Sequence, residues 1–338
     1  METTIYRLAF KTQLHLGRST GAAQAGNLGL EKTEVYIPAD TLFSAICQTW
    51  ATFYDTESLT DFLNRYKANS EELPFTITSA FPYADNVYFY PKPLTFQVEA
   101  KKSKRVQFVS HNIFHSIISG NPPDFKDDHL INGEKVWIHP EEKERLKKSM
   151  KDKLTLWETA TRPRVTIGAQ NAGSEIWHVQ TVQFNTNCGL WFAAQFDSDK
   201  TKQRIDTLFR VLGDTGIGGE RNAGYGMFDF TETTLEIPTP EGGNQFVTLS
   251  PICPQSSEQL AQLLTGDIAY TLNPLTGWVS STGTASRRKQ ISMFTEGSVL
   301  HVSDTQIGRL VDLRPENWEH PVYRYGYAWQ VGIKGTQK

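Results

Sequence analysis

The sequence predicts an α+β protein. Three observations carry this: strand-like alternation at both ends of the first two thirds, two amphipathic helices set between those strands, and a glycine-rich segment before the last strand. From residue 5 to 16, Tyr6, Leu8, Phe10, Leu14 and Leu16 fall on one face and Arg7, Lys11, Gln13 and His15 on the other. The pattern predicts a half-buried strand with a basic polar face. It leads into Gly17, Arg18, Ser19 and a Gly/Ala/Asn-rich stretch to Gly29, the composition of a mobile loop.

Leu42, Phe43, Ile46, Trp50, Phe53 and Tyr54 recur at helical spacing after Pro38 and Ala39, with Asp40 as the expected N-cap. Phe75, Ile77, Ser79 and Phe81 alternate as a second strand, and another is expected at Val87 to Tyr90. Residues 97–180 lose clear periodicity and read as a long insertion. Leu190, Phe192, Ala194 and Phe196 form the next strand. Ile205, Leu208, Phe209 and Leu212 then share a helical face expected to end at Gly213, before the glycine-rich loop 213–226 and a strand through Phe228 and Phe230. Strand, helix, strand, strand, helix, strand is the ferredoxin-like order used by RNA-recognition modules.

Pro238, Pro240, Gly242 and Gly243 mark a linker, so the expected domains are 1–236 and a smaller one at 237–338. Strands are expected there at Gln290–Phe294, Gly297–Val302 and Val322–Val331. In the last, Tyr323, Tyr325, Tyr327 and Trp329 share a face, which reads as core or interface packing ahead of a base-stacking platform. Exposed aromatic surface in this domain is expected to bury against a partner.

The 338 residues are 38% hydrophobic and 12% aromatic, enough for a core and unlike a disordered chain. A polar start and no apolar run of spanning length predict a soluble cytoplasmic protein with no membrane partner. Three scattered cysteines, Cys47, Cys188 and Cys253, fit a reducing compartment and have no zinc-site spacing. His111 and His115 share a helical face but lack a third ligand, so no metal or other cofactor is expected.

A net charge of −3 offers no wholesale basic surface, so any nucleic-acid contact must be local. Basic residues do cluster: Lys101, Lys102, Lys104 and Arg105; Lys143 to Lys153; Arg162 and Arg164; Arg287, Arg288 and Lys289. The second group follows Glu141, Glu142 and Glu144 at helical spacing and reads as a solvated helix.

The most informative segment is the loop itself, with Gly213, Gly216, Gly218, Gly219, Arg221, Asn222, Gly224, Tyr225 and Gly226. Glycines let backbone amides close on phosphate oxygens as an anion nest, and Arg221 adds a fork-shaped charge. A P-loop would end in Gly-Lys-Ser/Thr, and a dinucleotide fingerprint would run strand, loop, helix. Here the order is helix, loop, strand, so both nucleotide motifs fail on context. The run Gly224 to Phe230 partly echoes an RNA-recognition signature without its leading Lys or Arg. A tight turn with no ligand is the plainer alternative.

Tyr36 to Ile46, preceded by Leu14-His15-Leu16-Gly17-Arg18, resembles the amino-terminal block of the RAMP-superfamily subunits that occupy the fourth position in type III-A CRISPR (Csm) complexes. The glycine-rich loop is similar to that superfamily's carboxyl-side signature, and Gly277-Trp278-Val279, Arg288 to Ile291 and Glu296 to Val299 resemble segments of the family's second domain. The resemblance implies a pair of ferredoxin-like (RRM-like) domains with the long insertion and the glycine-rich loop, and a non-catalytic subunit. That subunit would hold the repeat-derived 5′ tag of the crRNA and touch the large polymerase-cyclase (Cas10-type) subunit and the neighbouring RAMP backbone subunit. It assigns RNA contacts to His15, Gly17, Arg18, Ser19, Thr41, Ser44 and the loop from Gly216 to Gly226, and places Lys101 to Arg105 in an inserted hairpin between tag and guide. Two alternatives stay open: the equivalent subunit of another type III subtype, and a metal-independent endoribonuclease with His15 as general base, against which His15 reads first as a phosphate contact or strand-end cap.

Overall fold

The computed structural model describes residues 2–17, 31–66, 73–97, 100–150, 154–166, 175–239, 243–281, 284–303, 306–316 and 318–334. Among them a nine-stranded mixed sheet dominates. Its order runs Phe228–Thr233, Thr3–Phe10, Cys188–Phe196, Phe81–Ala84, Val87–Pro91, Phe108–Ser110, Val136–Trp137, Leu130–Ile131, with Phe75–Ile77 also on Cys188–Phe196. Only Phe108–Ser110 with Val136–Trp137 is parallel. Tyr6 opposes Phe192 on one neighbour and Glu232 on the other, so the first strand is central and its apolar face buries Tyr6 and Leu8 completely.

Two long helices cover this sheet. Ala39–Phe53 buries Leu42, Phe43, Ile46 and Trp50, the expected stripe. Asp40, however, is not its N-cap. Pro38 holds that position, and the Asp40 carboxylate lies in the first turn, paired with Arg324. Asp199–Thr215 buries Ile205, Leu208, Phe209 and Leu212 and runs past the expected stop: Gly216, at φ +81°, ends it, while Gly213 lies inside because a Cβ there would strike the Phe228 carbonyl.

Two expected strands are shorter than their alternation. The first ends at Phe10, and Leu14 keeps only an isolated bridge to Val182. The second breaks after Ile77, where Ser79 turns its amide to the Leu249 carbonyl at 2.8 Å, tying the sheet to the carboxyl-terminal part.

The insertion is structured. It holds the helices His111–Ile118 and Pro140–Met150 and a ten-pair hairpin, Trp157–Thr166 with Glu175–Phe184. Pro140–Met150 is the solvated helix its charges imply, with a Lys147–Glu144 pair at 2.6 Å. Glu142 turns inward with Leu146, accepting from the Ser110 hydroxyl and, at 3.2 Å, from the Asn112 amide at the start of the other helix.

Beyond residue 243, Gln245–Thr248 lies between Val299–His301 and Gln330–Ile333, and three two-stranded ladders surround them. The expected Val322–Val331 strand divides into Tyr323–Tyr327 and Gln330–Ile333, because the Ala328 and Trp329 amides turn to Ile307 and Ser250. Its aromatic stripe is not an exposed surface. Tyr325 is fully buried with its ring 5.2 Å from Phe43, and Tyr327 sits 5.8 Å from Tyr66. The Ile77 amide donates to the Tyr325 hydroxyl at 3.3 Å, and the Tyr327 hydroxyl donates to the Tyr66 carbonyl at 3.2 Å. These rings belong to the same core as the large sheet, so the stripe cements the chain to itself.

Candidate nucleic-acid interface

The glycine-rich segment is held from below by the chain after the first strand. The Gly226 amide donates to Gln13 O and the Gly219 amide to His15 O, each at 2.8 Å, and Ile217 donates to Gly226 O at 3.0 Å. Close approach demands glycine here: a Cβ on Gly218 would meet the His15 carbonyl, one on Gly226 the Ile217 carbonyl, and both residues have φ above +70°. Gly224, at φ +80°, has open space around it and needs glycine for conformation alone.

Packing therefore consumes much of the expected nest. Gly216, Ile217, Gly219, Ala223, Gly224, Tyr225 and Gly226 all donate to protein carbonyls. Gly218, Glu220, Arg221 and Asn222 keep amides with no backbone acceptor among the described residues.

Gly218 and Arg221 border a cleft of about 440 Å³, whereas Glu220 and Asn222 are not among its lining residues. One wall is Gly218, Gly219 and Arg221 with Leu16 and Gly17. A second is the outer stripe of Ala39–Phe53, where Thr41, Ser44 and Gln48 recur at three- and four-residue spacing. The carboxyl-terminal part closes the third with Thr271, Asn273, Glu296 and Arg324. The expected residues Gly17, Thr41, Ser44, Gly218, Gly219 and Arg221 thus meet at one place.

Arg221 Nη2 donates to Gln48 Oε1 at 3.2 Å, and no carboxylate pairs with this guanidinium among the described residues. Its charge stays available to a ligand. At the far wall the Glu296 carboxyl, enclosed by Ser79 and by the Tyr36 hydroxyl at 3.1 Å, is raised to about 7 by burial, with the Ser79 hydrogen bond opposing. Gln48, Glu296 and Arg324 were absent from the sequence-based site. Gln48 had a signal, the i, i+3, i+7 spacing from Thr41 through Ser44, whereas Glu296 and Arg324 arrive only through tertiary packing.

Other expected site residues lie elsewhere. His15 is not on a polar face: it is 2% exposed, beneath the loop, and its Nδ1–H donates to the Gln180 carbonyl at 2.7 Å. Tyr225, Asn222 and Gly224 lie off this cleft. The Tyr225 hydroxyl accepts from Arg164 Nη2 at 3.2 Å, with the guanidinium 5.5 Å from the ring, so the long hairpin braces the loop from outside. Lys101 to Arg105 form a 3-10 turn and not the hairpin, which residues 157–184 build. Lys102 pairs with Asp127 at 3.1 Å and Glu134 at 3.2 Å, and Arg105 with Glu134 at 2.7 Å. Lys101 and Lys104 are exposed, away from the cleft lining. Arg18 and Ser19 lie outside the described residues.

Among the described residues no group of three or more His, Cys, Asp or Glu side chains is placed to hold a metal ion, and no helix is long and apolar enough to cross a membrane.

Comparison with known proteins bears on the whole chain. Residues 241–333 match the CRISPR Csm4 C-terminal domain. The CRISPR system Cms protein Csm4 of Thermococcus onnurineus is 24% identical over 298 residues, 88% of this chain and 91% of that one. That of Streptococcus thermophilus is 25% identical over 324 residues, 90% and 93% of the two chains. The fold is similar to a chain of the Csm3-Csm4 subcomplex of the type III-A CRISPR-Cas interference complex, at TM-score 0.70 and 17% identity over 98% of this chain and 100% of that chain. It is also similar to a chain of a Csm1-Csm4 cassette in complex with AMPPNP, at TM-score 0.60 and 16% identity over 98% of each. With residues 7–229, well over half its length, matching the family's model, the chain belongs to the RAMP superfamily.

Proposed function

We propose that the chain is the non-catalytic RNA-capping subunit of a type III-A CRISPR effector complex, and that the cleft under the glycine-rich loop holds the repeat-derived 5′ tag of the crRNA. One observation carries the reading: Arg221, paired among the described residues with the neutral Gln48 amide, and the Gly218 and Arg221 backbone amides, which have no backbone acceptor among those residues, stand at a cleft bordered by Thr41 and Ser44. A fork-shaped cation with converging amides suits a sugar-phosphate chain, and hydroxyls at helical spacing suit 2′-hydroxyls or base edges. On this reading Gly17, Thr41, Ser44 and residues 216–222 contact RNA, while His15, Gly224, Tyr225 and Gly226 hold the loop in shape.

The fold supports it. The order Phe228–Thr233, Thr3–Phe10, Cys188–Phe196, Phe75–Ile77 is the strand arrangement of a ferredoxin-like domain, in which the two helices cover one face. We assign that domain to 1–236 with its insertion at about 97–180, and a smaller RRM-like domain to 237–338. Relatives of nearly the same length are Csm4 proteins, and the similar structures pair Csm4 with Csm3 or with Csm1. This subunit accordingly bridges a Cas10-type large subunit and a RAMP backbone subunit in the cytoplasm. The endoribonuclease alternative loses its base, because a 2% exposed His15 with one ring nitrogen committed to Gln180 has no surface to offer a 2′-hydroxyl.

The test is crRNA retention by the assembled complex carrying Arg221→Glu. We expect at least a tenfold loss of bound crRNA, steeper at high salt. Retention equal to wild type removes the loop from RNA binding.

A further inference from the structure

The walls of the cleft differ in charge. The loop side offers the Arg221 guanidinium and the Gly218 and Arg221 amides, groups that suit a phosphate. On the carboxyl-terminal wall the cation of the lining, Arg324, is already paired with Asp40 and donates through Nη2 to the Thr276 carbonyl at 3.2 Å, while Glu296 adds a carboxyl. That wall has no positive charge in excess of its carboxyls, so it favours an uncharged group over a second phosphate.

What it offers instead is aliphatic surface and an unused amide. Leu272–Leu275 pairs with Ile291–Phe294 as a two-stranded ladder, with Asn273 opposite Met293 and Leu275 opposite Ile291. Alternation puts Asn273, Leu275 and Met293 on one face of that ladder, and all three line the cleft. Leu272, which also lines it, is 47% exposed. The Asn273 side chain is half-buried and makes no hydrogen bond among the described residues, leaving one acceptor and two donors unused. Aliphatic groups beside such an amide suit a flat polar heterocycle, whose face rests on the hydrocarbon while its edge takes paired hydrogen bonds.

A strand from another protein is the rival occupant, because Leu272–Leu275 is bonded along one side only among the described residues. Pro274 in its middle has no amide to donate, which blunts that edge against strand addition. Continuity with the loop favours the heterocycle: one cleft holds the phosphate groups on one wall and the apolar face on another.

We propose that Asn273, Leu275 and Leu272 form a nucleobase subsite, which takes one base of the strand whose phosphates the glycine loop grips and reads its edge through the Asn273 amide. The inference rests on the RNA reading of the cleft and deepens it, from holding a sugar-phosphate chain to selecting a base.

The experiment measures binding of the full chain to a single-stranded RNA bearing a repeat-derived 5′ end, with the base removed at one position at a time. Wild type should show one position where base removal weakens binding about tenfold. Asn273→Ala should weaken binding of the intact RNA by a similar factor and add nothing once that base is gone. The slope of log K against log salt should stay as in wild type, since no phosphate contact is lost, whereas Arg221→Glu should shrink it. Asn273→Asp, which only accepts, should shift the preference at that position toward cytosine over uracil. Independent effects of base removal and Asn273→Ala at every position, a slope that shrinks by about 0.7 in Asn273→Ala, or an unaltered base preference in Asn273→Asp overturns the subsite while leaving the loop intact. Unchanged RNA binding by Asn273→Ala with loss of assembly onto a partner chain overturns it in favour of a protein strand. Absence of RNA binding by wild type, with Arg221→Glu equally without effect, overturns the underlying reading and this subsite with it.

Discussion

Two stretches carry groups suited to nucleotides, the glycine-rich loop and the aromatic stripe from Tyr323 to Trp329, and the fold treats them oppositely. The loop keeps the Gly218 and Arg221 amides and a guanidinium that no carboxylate pairs among the described residues at an open cleft. The stripe spends Tyr325 and Tyr327 on Phe43 and Tyr66, inside the protein. Alternating aromatics say that a face is apolar without saying what covers it. A run of glycines before a strand says that backbone must come close to something, and here half of that something is the protein's own chain.

The largest effect that sharpens this contrast is expected from Tyr325→Ala. Emptying a fully buried ring site should cost about 3–5 kcal/mol, read as a lower denaturant midpoint with both parts unfolding in one transition. A cost below about 1 kcal/mol would mean that the stripe is not the cement. Gly226→Ala comes next. Its φ of +74° and the blocking Ile217 carbonyl should distort the loop and cost about 2 kcal/mol of stability, with crRNA retention falling further than stability explains. Equal losses in both would make the loop a structural turn.

The smallest effect is a pH dependence. Glu296 has a folded value raised to about 7, above its ordinary 4.5, so the folded state binds the extra proton between those values. That contribution to stability is complete below about pH 4.5 and is lost as pH rises through about 7. Glu296→Gln should flatten the slope of stability between pH 5 and 8, and should be the more stable form at pH 8. A slope unchanged in the variant would assign the titration to another group.

Legibility followed the presence of a core to impose a period. The first strand, both long helices and the glycine loop were readable because each has one face on the sheet. The Trp157–Thr166 and Glu175–Phe184 hairpin was not, since Glu158 to Pro163 are exposed and only the short stretch around Val179 and Thr181 of the second strand buries alternate residues. Asp40 was read as a cap because local chemistry favours it there, but its partner is 284 residues away. Arg324 and Glu296 were invisible for the same reason. His15 continued an alternating pattern past the strand's true end, where the chain bends under the loop and burial no longer follows parity.

The Ala39–Phe53 helix carries the cleft on one flank, through Thr41, Ser44 and Gln48, and the interlocked tyrosines on the other, through Phe43. A single rigid rod therefore serves as both hinge pin and jaw. The aperture is set when the polypeptide folds, and no later rocking of the two halves can widen it without prising rings apart. A strand held there as proposed would meet a gauge already cut to size.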